Sequence, residues 1–109
     1  MIRISNSGAA TAAVSLLLKS PFYSGTVAPS AVACTTSTLS KLDKVPANGE
    51  LAIDSSDLFT CFGAFKRGDI VVTIQGSPTN LSAKARTTTV SGTNEISLGG
   101  LDNIPGIDY

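Results

Sequence analysis

Apolar side chains recur at every second position through much of this chain. Ile2 and Ile4 alternate with Arg3 and Ser5, and Ala12, Val14, Leu16 and Leu18 alternate with Thr11, Ala13, Ser15 and Leu17. A period of two sends successive side chains to opposite faces of an extended backbone, so residues 1–5 and 11–18 are expected to be half-buried strands. A helix over residues 9–19 is the alternative for the second, given its three Leu and four Ala. Pro21 and the Ser/Thr content favour the strand. Residues 32–38 hold a further strand, and residues 70–75, Ile-Val-Val-Thr-Ile-Gln, are the richest in β-branched side chains. Residues 81–90 alternate again, and residues 95–98 form the last short strand.

Turn chemistry separates these segments. Asn6-Ser7-Gly8 offers a positive-φ position, and Gly76-Ser77-Pro78-Thr79-Asn80 is a second turn. Asn48-Gly49 lies between 42–45 and 50–53, where it predicts a type I′ hairpin. Ser91-Gly92-Thr93-Asn94 predicts another hairpin, joining 81–90 to 95–98. One segment departs from the strand period. Asp54 or Ser55 can cap a helix start and Asp57 suits its positive end. Leu58, Phe59, Cys61, Phe62 and Phe65 then read as a short apolar plug at one end of the core, stopped by Gly63. The expected fold is therefore all-β: a small antiparallel sandwich, or a partly open barrel, with one short helix near residues 55–62. Residues 1–98 form the domain and 99–109 an extended C-terminal tail. Leu101, Ile104, Ile107 and Tyr109 anchor that tail, either on its own domain or on a neighbouring subunit.

At 109 residues the chain holds one core. Charged residues are 15 % of it, against about 25 % in ordinary domains. Eight basic and eight acidic residues cancel, and the basic ones are scattered, so the concentrated positive footprint of a nucleic-acid binder is missing. Near-zero charge also permits self-association. Polar residues interrupt the first twenty positions, which reads as no signal peptide, and no apolar run is long enough to enter a membrane.

Histidine is absent, which removes the commonest proton-transfer group and any Cys–His nucleophile. Cys34 and Cys61 match no metal or redox spacing. They are either two buried thiols or a disulfide, the latter worth between ~3 and ~4 kcal/mol in the chain-entropy model. The carboxylates are dispersed, with no calcium loop, and no glycine-rich phosphate loop occurs. Arg67-Gly68-Asp69 and Asn80-Leu81-Ser82 match an adhesion tripeptide and a glycosylation sequon, both short enough to be incidental. No catalytic residue, cofactor or metal is expected. Phe22 and Tyr23 join the tail residues as candidate partner contacts, being aromatic and outside the predicted core.

Ile2-Arg3-Ile4-Ser5-Asn6, Val45-Pro46-Ala47-Asn48-Gly49, Ser55-Ser56-Asp57-Leu58, Arg67-Gly68-Asp69-Ile70-Val71-Val72 and Asn80-Leu81-Ser82-Ala83 through Ser91-Gly92 follow in an order that resembles bacterial and phage-associated Ig-like β-sandwich modules. The motifs are short and turn-driven, though together they cover most of the chain. The resemblance implies no active site. It implies a structural or adhesive part of a surface, filament or virion, although such modules usually sit inside longer proteins. The expected function is a structural subunit acting by protein–protein contacts with itself or other assembly proteins, as a virion accessory (decoration, cement or tail-associated) protein or the outer subunit of an extracellular filament. The expected location is a virion or cell surface. The alternative is a stand-alone binding module for carbohydrate or a host surface.

Overall fold

The computed structural model describes residues 2–23, 26–27, 31–63, 65–75, 81–85, 88–92 and 94–102. Nine strands and one α-helix occur among them, in the order β1 (Ile2–Asn6), β2 (Ala13–Tyr23), β3 (Thr26–Val27), β4 (Val32–Cys34), β5 (Gly49–Ile53), α1 (Ser55–Phe62), β6 (Arg67–Gln75), β7 (Leu81–Ala85), β8 (Thr88–Ser91) and β9 (Glu95–Asp102). A single 3-10 turn at Ser40–Asp43 precedes β5.

The strands form two antiparallel sheets. The first has the order β5-β1-β7-β8. The second runs β2-β6-β9, and the other edge of β2 is shared by β4, opposite Leu16 to Leu18, and β3, opposite Phe22 and Tyr23. The period-two pattern explains which face each strand buries. Ile2 and Ile4 from β1, Val14, Leu16 and Leu18 from β2, Ile70, Val72 and Ile74 from β6, and Leu81, Ala83 and Ala85 from β7 all point inward and form one cluster. Each large aliphatic side chain removed from water in this way contributes about 1.5–3 kcal/mol. One residue breaks the alternation. Val71 belongs to the outer face of its sheet, yet it is 3 % exposed, flanked across the ladder by Leu17 and Ser97.

The all-β sandwich with a helix at 55–62 is as expected, but several local readings are corrected. Asn48-Gly49 does make a turn, with Asn48 at φ +50 and Gly49 N–H donating to Pro46 O. It is not a hairpin turn. β5 pairs with β1, while Val45 bridges to Ala12, so each segment takes its partner from the start of the chain. The 81–90 segment is two strands, β7 and β8, paired to each other. The Ser91-to-Asn94 turn then carries the chain from one sheet to the other instead of closing a hairpin. Gly92 is required there, since a Cβ would run into the Glu95 carbonyl oxygen.

β2 also runs past its predicted end and through Pro21. A register shift between Lys19 and Phe22, with Ser20 at φ +49, forms the irregularity at which a strand tolerates proline. β6 begins already at Arg67, so the Arg67-Gly68-Asp69 tripeptide lies within the strand. The boundary placed at residue 98 falls inside β9, whose Gly99 to Asp102 pair with Ile70 to Arg67. Gly99, at φ +76, marks the bulge where Leu98 is skipped in that ladder.

Candidate functional site

Most of the aromatic chemistry gathers at one pole of the sandwich. β5 ends at Ile53, opposite Ile2, and β6 begins at Arg67, opposite Phe22 and Asp102. α1 spans the gap between these two sheet ends. Its start is fixed by a reciprocal capping box: Asp57 N–H donates to Asp54 Oδ1 at 2.9 Å, and Asp54 N–H donates to Asp57 Oδ2 at 3.1 Å. The Asp57 N–H, helped by the Ser56 hydroxyl, holds the Asp54 carboxyl below its ordinary value of 3.8. Lys41 Nζ pairs with Asp57 Oδ2 and also donates to Ala52 O, so one cation ties the 3-10 turn, β5 and α1 together.

The far end of the helix is fastened to the second sheet. Tyr23 Oη donates to Phe62 O at 2.8 Å, and the Phe62 and Phe65 rings meet edge to face at 5.8 Å. The Arg67 guanidinium lies 4.8 Å from the Phe22 ring centre, a cation–π contact. Cys34 of β4 and Cys61 of α1 are joined as a disulfide, so of the two alternatives the structure has the bridge. Leu58 and Phe62, four positions apart on one helix face, are buried against the core.

Of the candidate contacts, Phe22 and Tyr23 both sit at this pole and are half-buried. Tyr23 is committed to holding α1, and Phe22 lies under Arg67. Leu101 takes its place in β9 opposite Gly68. Ile104, Ile107 and Tyr109 lie outside the described residues. Sequence reasoning missed Phe59, which it placed in the apolar plug. The side chain is 59 % exposed, the one large hydrophobic so exposed among the described residues. The helical period held the signal. Phe59 sits about 100° around the helix from Leu58 and is out of phase with the Leu58–Phe62 face.

The two long sides of the sandwich differ. On one, Lys41 occupies a carbonyl of edge strand β5, and the disulfide ties edge strand β4 to α1. On the other, β8 and β9 lie beside each other as the edges of their sheets. Among the described residues β9 pairs only with β6, through seven of its eight residues, and β8 only with β7. An unpaired edge of that length is a template for another strand. Among the described residues no cluster of three His, Cys, Asp or Glu side chains converges, and no helix is long and apolar enough to cross a membrane. No family model, curated protein or solved structure matches the chain.

Proposed function

We propose that this chain is a non-catalytic structural module of an assembly in an oxidising compartment, acting through contacts with copies of itself or with other structural proteins. The observation that carries the reading is the asymmetry of the sandwich. One side is closed by a lysine, a helix and a disulfide, and the other presents the edges of β8 and β9. A fold that guards one side and, among the described residues, leaves the edges of β8 and β9 unpaired on the other is suited to ordered addition there. The disulfide supports a place outside the reducing cytoplasm. Zero net charge removes the long-range repulsion that keeps identical copies apart, and the lack of histidine supports a non-catalytic role. In finer terms the module is a virion accessory protein or the outer subunit of an extracellular filament. Light scattering across a concentration series is expected to give a defined homo-oligomer. A strict monomer at every concentration, without binding to virion or filament proteins, rejects the proposal.

Phe59 favours a second reading, a binding module for carbohydrate or a cell surface, because a solvent-facing ring on a rigid helix suits stacking against a sugar. Glycan-array hits that vanish in Phe59→Ser support it, and an array without hits removes it.

A further inference from the structure

Five asparagines occur in the chain, and Asn48 is the one followed by glycine. Its surroundings contrast with those of Asn6, which is followed by the small residue Ser7. Asn6 is 2 % exposed, and its side chain is fully engaged. Nδ2 donates to Ala10 O at 2.8 Å and to Val45 O at 3.3 Å, while Oδ1 accepts from Gly8 N–H. Asn48 is exposed at the tip of the turn, and its side-chain amide makes no hydrogen bond among the described residues. Its backbone holds φ +50, and the next residue has no Cβ to screen the approach of its nitrogen. The Gly49 N–H is committed to one turn bond, to Pro46 O.

From this contrast we infer that Asn48 is a site of spontaneous, site-selective deamidation in the folded protein. The Gly49 amide nitrogen, having lost its proton to solvent base, attacks Asn48 Cγ. The Cγ–Nδ2 bond breaks and ammonia leaves, which closes a five-membered succinimide. Water then opens the ring at either carbonyl, giving aspartate or its β-linked isomer at position 48. The sum is one water consumed and one ammonia released, with no oxidant or cofactor. Each event takes the chain from zero net charge to minus one. The β-linked product adds one backbone carbon to the turn that positions Gly49 opposite Asn6 at the start of β5. Converted copies carry the added negative charge and the altered turn at the end of β5 that lies away from α1.

The same reaction at Asn6 must first break buried hydrogen bonds. It is therefore slower by at least about tenfold, the factor that ~1.4 kcal/mol of lost hydrogen bonding gives. The test incubates the full oxidised chain in mildly alkaline buffer and follows amide-to-acid conversion by peptide mapping. A denatured sample runs in parallel, with Asn48→Gln as the control variant. The expected result is an acidic species on ion exchange, converted at residue 48 and missing from Asn48→Gln. Asn6 is expected to convert faster after denaturation than in the folded chain, while staying slower than Asn48. An intact Asn48 in the folded chain, or Asn6 converting as fast as Asn48 there, overturns the inference.

Discussion

Removing the disulfide by Cys34→Ala/Cys61→Ala tests how much of the stability comes from tying β4 to α1. Alanine is chosen because Cys34 is 1 % exposed, and serine would bury a hydroxyl there. The bridge spans a sequence separation of 27. In the chain-entropy model a loop of that length restricts the unfolded chain by ~12 cal/mol/K, or ~3.6 kcal/mol at room temperature. That is a large share of the about 5–15 kcal/mol expected for a domain of this kind. Two β-sheets and one apolar cluster remain without it, so the variant is expected to fold. Its free energy of unfolding is expected to fall by about 3–4 kcal/mol, with a urea midpoint lower by on the order of 2 M. The denaturant slope is expected to rise, because an uncrosslinked unfolded chain exposes more surface. The assay is equilibrium urea unfolding of the oxidised parent and the variant, with a thiol titration of the parent under native and denaturing conditions. A variant within ~1 kcal/mol of the parent refutes the entropic argument, and two titratable thiols in the denatured, unreduced parent refute the bridge.

Three further perturbations follow from the geometry. Asp54→Ala removes the cap of α1 and is expected to cost about 1 kcal/mol. Because folding lowers the Asp54 pKa, its contribution is present above the unfolded value near 3.8 and is lost as pH falls through the folded value. Urea melts at neutral and strongly acid pH are therefore expected to show the gap between parent and variant closing in acid. Gly92→Ala drives a Cβ into the Glu95 carbonyl at the sheet-to-sheet crossing. The expected cost is about 1–3 kcal/mol in thermal or urea unfolding, and an unchanged midpoint contradicts the close approach. Tyr23→Phe deletes the hydroxyl that holds Phe62 O, with an expected loss of about 1 kcal/mol and faster proteolysis within α1.

What was legible in the chain was set by local physics. The inward positions of β1, β2, β6 and β7 follow from alternation, because one sheet face is wet and the other dry. α1 follows from Asp54, Asp57 and Gly63, whose capping and stop signals act within one turn. What was not legible depends on partners distant in sequence. Asn48-Gly49 specifies a turn but not which strands it joins. The choice of β1 over residues 42–45 as the partner of β5 is made by the sandwich as a whole. Pro21 reads as a strand end, yet the bulge at Ser20 carries β2 past it to place Tyr23 against Phe62. The two cysteines gave no pairing by spacing. Their juxtaposition arises from β4 packing beside β2 while α1 closes the pole. Phe59 was overlooked because its neighbours Leu58 and Phe62 drew the whole segment into the core, when the helical period had already separated it from them.

The central claim, that contacts run through the side bearing β8 and β9, is tested most directly by amide hydrogen exchange at two protein concentrations. In the associated sample residues 95–102 are expected to gain protection relative to the dilute one, while β5 and β4 on the guarded side stay unchanged. Protection gained on β5 or α1 instead, with the β9 amides exchanging alike in both samples, contradicts the account.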